Sequence, residues 1–564
     1  MQTTLTRPTT AAAASDTGFF GHPGGLSTLF FSELWERFSY YGMRAILILF
    51  MTAAAAQGGL GFSTRKAGLI YGTYTSLVYL MSLPGGWLAD RFLGLRKAVL
   101  TGGILIMCGH ICLAMPSLGG FYAGLAFVIL GTGLLKPNIS ALVGELYGAD
   151  DARRDAGFSI YYMGINLGAF LAPLAVGWLA QGESFKAMLG RMGITPEASW
   201  HFGFGAAAVG MACGLTWYVA GWKRLGNAGL RPASAGDPAS SKRDKRMLLA
   251  GAGVAAAIVA FGALAALGII PVTVAALGGA FGWILALTPV CLFPALFFFG
   301  GFDKAEKRRL LVIMVLFFGA AAFWSVFEQA GSTLTLFADR NTETVIGLPF
   351  ALFFATVLAI PALLAWRWSR GQAGSLPAVG FATVVTLACA GAGAYLLSHR
   401  GQAFPSSFFQ SANALFIVAL APAFAALWVQ LGSRQPSSPA KFAIGLLFAG
   451  LGFAILVPIA SATGRVSPLW LTATYMLHTI GELCLSPVGL SAMGRLAPRR
   501  IMGLVLGIWF LASSLGNFMA GFAAGFYENM PLGRLFAVVA LVAILATAIM
   551  AATVKPIRAM LARD

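Results

Sequence analysis

Charge is what this sequence has least of. Only 10% of its residues are Asp, Glu, Lys or Arg, against roughly 25% in an average chain, which excludes an ordinary soluble domain. The five histidines form no cluster. The six cysteines, Cys108, Cys112, Cys213, Cys291, Cys389 and Cys484, fall in apolar runs without metal-ligand spacing, which leaves packing as their role. Neither a nucleotide loop nor a nucleophile–His–acid arrangement is present, which argues against a membrane acyl or glycosyl transferase. A cleaved signal peptide is also missing: Met1–Asp16 is polar and Thr/Ala-rich, and the stretch 1–25 is expected to be a disordered tail.

What is there is apolar. Hydrophobic residues make up 58% of the 564, and the mean hydropathy is +0.80, as in a polytopic helical membrane protein. The net charge of +18 collects in short loops, a positive-inside pattern rather than a nucleic-acid surface. Apolar runs of spanning length predict sixteen helices, near 27–56, 65–90, 97–115, 119–144, 157–180, 200–221, 247–269, 273–299, 310–337, 346–367, 376–397, 408–431, 440–460, 470–493, 501–526 and 532–554. An even count puts both termini on one side. The basic, Pro/Ala/Ser-rich loop 223–246 is read as a cytoplasmic linker between two halves. The pair 247–300 that follows has no Asp, Glu, Lys, Arg or His in its spans, 247–269 and 273–299, and is expected to be peripheral. Arg65 and Lys66 sit at an outside end and break the charge rule.

Against this background Glu33-Leu-Trp-Glu36-Arg37-Phe-Ser-Tyr40-Tyr41-Gly-Met-Arg44 stands out. Each charge at a bilayer centre costs roughly 2.5–3.5 kcal/mol. Glu33, Glu36, Arg37, Tyr40 and Arg44 follow at spacings mostly of three or four and share one helix face. That face is expected to line a wet cavity. Lys136, in Gly-Thr-Gly-Leu-Leu-Lys-Pro-Asn, is a lone cation in apolar sequence that either snorkels or meets a carboxylate. Tyr162 and Asn166 share a face in the fifth span, where interhelical hydrogen bonding is the alternative role. In the second part of the chain, Glu328 follows Trp324 by four residues, Gln410 and Asn413 share a face, and Glu482 lies mid-span before Pro487, where a helix can bend. Trp509 and Ser513 stack one turn apart. Trp324 and Trp509 alone would read as packing aromatics.

The block Gly-Gly-Trp-Leu-Ala-Asp90-Arg-Phe-Leu-Gly-Leu-Arg-Lys resembles the loop between helices 2 and 3 of the major facilitator superfamily. Taken together, Glu-x-x-Glu-Arg-Phe-x-Tyr-Tyr-Gly, Phe-x-Ile-x-Tyr-x-x-x-Asn-x-Gly, Phe-Glu-Gln, Phe-Gln-Ser-x-Asn and Gly-Glu-Leu-x-Leu-Ser-Pro-Val-Gly-Leu resemble the proton-dependent oligopeptide transporter (POT/PTR) family, in order and over nearly the whole chain. The resemblance implies an all-α major facilitator fold: a six-helix bundle over 26–222, an accessory hairpin over 247–300 as in bacterial members, and a second six-helix bundle within 301–554, followed by a cytoplasmic tail, 555–564. The spans 346–367 and 376–397 lie between helices that follow each other directly in the family, so 346–397 is read as an inserted hairpin. Gly72 stands where animal members carry a histidine, which leaves proton coupling to carboxylates.

The resemblance further implies uptake of di- and tripeptides coupled to inward proton movement, by a monomer in the bacterial inner membrane, with protons as coupling ion and no cofactor, metal or nucleic acid. Proton coupling would rest on Glu33, Glu36, Arg37, Lys136, Glu328 and Glu482. Glu482 would hold the peptide amine, Arg44 and Lys136 its carboxylate, and Asn166 and Asn413 its backbone, with Tyr40, Tyr41, Tyr79, Tyr162, Trp324, Glu328, Trp509 and Ser513 around it. A Lys136–Glu482 pair is expected to join the halves when no peptide is bound. The alternatives are a facilitator-type exporter and a carrier for another small molecule such as a drug or nitrate.

Overall fold

A computed structural model describes residues 17–148, 150–230, 238–266, 269–371, 376–498 and 501–561. The segment 1–16, most of the expected tail, lies outside them. Among the described residues the molecule is helical, with three isolated β-bridges in its connections. Among the described residues ten helical segments are long and apolar enough to cross a membrane. Gly24–Thr52, which carries the charged face, is not among them. It is a 29-residue helix, almost wholly buried, and it spans by being shielded rather than by being apolar.

The helices pack in two groups. In the first, Gly24–Thr52 lies against Arg154–Gln181 and Ser199–Ala220, and Leu95–Leu113 against Leu118–Glu145. In the second, Ser438–Ala454 lies against Pro468–Leu496 and Leu532–Leu561, and Lys304–Phe327 against Met502–Ala524. The groups meet along Thr64–Leu80 with Met502–Ala524, and along Arg154–Gln181 with Ser411–Leu431. Val274–Phe299 touches both groups, with Gly278 beside Leu69 and Phe281 5.7 Å from Phe518. Leu285 and Phe293 continue the buried face, and the opposite face is bare, with Trp283 71% exposed, as expected of a helix with one side to lipid.

Several boundaries differ from the sequence reading. The helix expected to begin at 247 begins at Pro238, so the end of the linker is helical, and Asp244 pairs with Arg91 at 3.2 Å. Linker residues 231–237 lie outside the described set. The end of the tail is ordered: Phe19 and His22 bridge, and His22 Nδ1 lies 3.0 Å from the Tyr147 hydroxyl. The last helix runs on to Leu561, into the expected tail. The span 310–337 is broken, because the α-helix stops at Phe327, turns through a short 3₁₀ segment at Glu328–Gly331 and resumes at Thr333–Arg340. The carbonyl of Ala330, freed by the break, accepts hydrogen bonds from Thr335 at 2.7 Å and from the Tyr475 hydroxyl at 3.2 Å. Such groups must be satisfied inside the protein when no water is at hand. Leu348–Gly371 and Leu376–Ser398 pack on each other as a hairpin.

The linker end of the molecule is tied by Arg96, which donates to the carbonyls of Gly226, at 2.6 Å, and Ala228. Contacts between the two groups concentrate toward the opposite, far end. There Glu528 accepts from Thr64 at 2.9 Å and pairs with Arg340 at 2.7 Å. Partial burial pushes the Glu528 carboxyl up, but hydrogen bonds from Arg340 and Thr64 outweigh it and hold the group below its ordinary value. Asp339 accepts from Ser406 at 2.8 Å, and Ser406 also accepts from Gln181 at 3.1 Å. Nearer the centre, the hydroxyls of Ser76 and Ser514 lie 2.6 Å apart, and Ser411 donates to the Phe170 carbonyl at 2.7 Å.

Backbones approach closely at this seam. A Cβ on Gly521 would lie 2.4 Å from Gly72 Cα, and one on Gly72 would lie 2.9 Å from the Phe518 carbonyl oxygen. A side chain at Gly72 therefore needs the two helices to part. Gly521→Leu is expected to separate the far ends at a cost of about 1–3 kcal/mol. The readout is the distance between spin labels on Thr64 and Tyr527. An unchanged distance would show that the glycine contact does not hold the seam.

Candidate functional site

The Gly24–Thr52 helix sets the site because its spacing turns every charge inward. Arg37 pairs with Glu33 at 3.0 Å and with Glu36, and all three are at most 3% exposed. Tyr40 lies against the Arg37 guanidinium, 5.4 Å from its carbon. Two turns on from Arg37, Arg44 pairs with Glu328 of the second group and donates through Nε to the Tyr71 hydroxyl at 2.7 Å. The break at Glu328–Gly331 allows this: a Cβ on Gly331 would lie 1.8 Å from that hydroxyl. Tyr71 was not foreseen as a site residue. Its signal is slight, since a tyrosine in an apolar run reads as packing.

Lys136 lies in the first group within electrostatic range of Glu36, Glu33 and Glu328. Its Nζ sits 4.0 Å over the Tyr79 ring, a cation–π contact of roughly 0.5–2 kcal/mol. Glu482 lies in the second group and accepts from Asn413 at 3.1 Å, while Asn413 also donates to Thr479 at 3.0 Å. The expected Lys136–Glu482 ion pair is therefore absent in this conformation. Each group is held by a partner on its own side, and the ion pair that joins the two sides is Arg44–Glu328. Its physical reason is position: Arg44 and Glu328 lie next to the far-end seam where the groups touch, and Lys136 and Glu482 do not.

The remaining predicted residues fall around these charges. Tyr41 is within electrostatic range of Arg37, Arg44, Glu328 and Glu482 together, which places the charges of both groups about one side chain. Tyr162 is 43% exposed and within range of Glu482. The Asn166 amide donates to the Tyr162 carbonyl at 3.0 Å. Ser513 donates to the Trp509 carbonyl at 3.4 Å, and Trp509 is 8% exposed, close against Gly489. Trp324 stacks edge-on with Phe323 and Phe327, and its buried indole Nε1 has no hydrogen-bond partner, a donor aimed at nothing in the protein itself. Gln410 braces the seam by donating to the Ala45 carbonyl at 3.3 Å and to Thr335 at 2.9 Å. Among the described residues no cluster could hold a metal ion.

Lys136 and Glu482, one in each group, thus stand without an ion-pair partner among the described residues, while Arg44 and Glu328 offset each other and the Glu33–Glu36–Arg37 cluster holds two carboxylates for one guanidinium. The sequence profile of the POT family matches residues 96–237 and 397–542. The chain belongs to the POT family. It is 39% identical to the uncharacterized transporter YclF of Bacillus subtilis over 93% of this chain and 92% of that one. It is 37% identical to the peptide transporter YePEPT of Yersinia enterocolitica over 96% and 95%. A crystal structure of a peptide transporter POT in complex with sulfate, 38% identical, superposes over 98% of both chains with a TM-score of 0.79. This POT-family chain is accordingly a helical membrane transporter with the facilitator-like fold of those neighbours, and not an enzyme. The unmatched interval 238–396 holds both hairpins and also the Glu328 break.

Proposed function

We propose that this protein takes up di- and tripeptides together with protons by alternating access. Membership of the POT family supports the reading, as do relatives named as peptide transporters from Yersinia enterocolitica and Lactococcus lactis. The observation that carries it is that Lys136 of the first group and Glu482 of the second each lack an ion-pair partner among the described residues, and a zwitterion needs a cation for one end and an anion for the other. Glu482, with Asn413 beside it, takes the amine. Lys136 takes the carboxylate, Arg44 joins it when released from Glu328, and Asn166 and Asn413 bond the peptide backbone. Tyr40, Tyr41, Tyr79, Tyr162, Trp324, Trp509 and Ser513 leave room for varied side chains. An exporter or a nitrate carrier has no use for this matched pair.

Coupling follows from charge exchange. A proton on Glu328 frees Arg44, and a proton on Glu482 removes its hold on the amine. The Glu33–Glu36–Arg37 cluster, within range of Lys136, is a second place to store a proton. No other cofactor is required. In this reading the far end faces outward and is closed, the basic linker end faces the cytoplasm with both termini, sixteen spans cross the bacterial inner membrane, and the monomer is the working unit. The boundaries 26–222 and 301–554 then delimit the two rocking halves.

The test is uptake of labelled dialanine into liposomes under an imposed pH gradient, with an uncoupler as control. Accumulation that the uncoupler leaves intact would reject proton coupling. Lys136→Ala is expected to weaken peptide affinity about 10–100-fold, the worth of a charge-assisted hydrogen bond, read by competition in the same vesicles. Unchanged affinity would remove Lys136 from the site.

A further inference from the structure

A cavity of about 1330 Å³ lies away from the charged chamber, between the 348–398 hairpin and the two helix groups at the far end. It exceeds the roughly 300–1,000 Å³ of an ordinary small-molecule pocket. Its lining changes character with depth. Glu183, Lys186, Asp339 and Arg465 stand at the rim, in or beside the far-end connections. Lys186 is paired with Glu183 at 2.9 Å, Asp339 is hydrogen-bonded to Ser406, and Arg465 has no ion pair among the described residues.

Below the rim the wall is apolar. Phe350, Phe354 and Leu358 line it at successive steps of four on the Leu348–Gly371 helix, so they form one stripe about 12 Å long at 1.5 Å per residue. Leu396 of the second hairpin helix and Leu415 of the Ser411–Leu431 helix face the same space, and Leu174 closes it from the first group. A hydrocarbon leaflet is about 15 Å deep, so the apolar wall runs through most of one leaflet with charges of both signs at its mouth.

We propose that this slot binds one glycerophospholipid with an amine-bearing headgroup. An acyl chain lies along the Phe350–Phe354–Leu358 stripe. The phosphate meets Arg465, and the ammonium meets the carboxylates of Asp339 and Glu183. A small peptide would match the rim but leave the apolar wall uncovered. The occupant touches both helix groups, so it favours the arrangement in which their far ends are together. The inference stands apart from the peptide reading, and its test does not use transport.

The full-length protein is placed in nanodiscs containing phosphatidylethanolamine with a diazirine on one acyl chain, irradiated, and its labelled segments mapped by mass spectrometry. Labelling is expected to concentrate on 350–358, 392–396 and 415, above that of the bare face around Trp283. Arg465→Ala is expected to lower it roughly tenfold through loss of one charge-assisted contact. Ala392→Trp, which fills the slot from the hairpin side, is expected to abolish it. Thermal unfolding of both variants controls for folding. Labelling of the slot no stronger than at the bare face, or unchanged in both folded variants, would overturn the proposal.

Discussion

Glu482→Gln is expected to retain peptide exchange and lose peptide accumulation. Glutamine has nearly the same shape as glutamate and can still accept from Asn413, whose amide lies 3.1 Å from the carboxylate. The substitution therefore removes the charge that titrates and that holds the peptide amine, so exchange is expected to persist at a weaker peptide affinity. A peptide entering with one net positive charge is driven by about 2.3 kcal/mol per 100 mV, roughly a fiftyfold concentration ratio. Counterflow, in which labelled peptide exchanges for unlabelled, needs no net proton movement and should continue. Imposed-gradient uptake should fall from roughly that ratio to equilibration. Driven uptake at the wild-type level would sink the coupling role assigned to Glu482.

The second large effect is expected at Arg44, and it is an effect on stability as well as on transport. Arg44 and Glu328 are 7% and 3% exposed, so their pairing replaces water almost entirely. Arg44→Ala leaves Glu328 buried without its counter-ion and strips the Tyr71 hydroxyl of its 2.7 Å donor. Breaking one side of such a pair costs about 3–5 kcal/mol. Removing both partners, in Arg44→Ala with Glu328→Ala, leaves no stranded charge, so the double variant is expected to be more stable than the sum of the singles predicts. Thermal unfolding in detergent measures the cycle. Strict additivity would mean that the two residues do not support each other. Arg44→Lys keeps the charge and loses the fork of donors that reaches Glu328 and Tyr71 at once, and should fall between wild type and alanine.

The membrane class and the charged first helix could be read from the sequence, for one reason. A charge in an apolar run is so costly that its position alone reports a function. Glu33, Glu36, Arg37 and Arg44 declared a face by helical spacing, and the structure turns that face inward. Glu482 and Lys136 were marked by isolation. The helices Leu348–Gly371 and Leu376–Ser398 were visible as two apolar runs, since span length is a property of local composition.

The pairings were not legible. Whether Arg44 or Lys136 meets a carboxylate of the second group depends on how the two groups sit against each other, and no local pattern encodes that. The chain alone determined that its deep charges would be turned away from lipid, because a bare charge there is so costly. Only the tertiary structure decided that Arg44 rather than Lys136 joins the groups, that Glu328 reaches it from a broken helix, and that Gly72 lies against Gly521. Those outcomes depend on close approach between helices about 280 to 450 residues apart in sequence, where geometry, not composition, selects the partner.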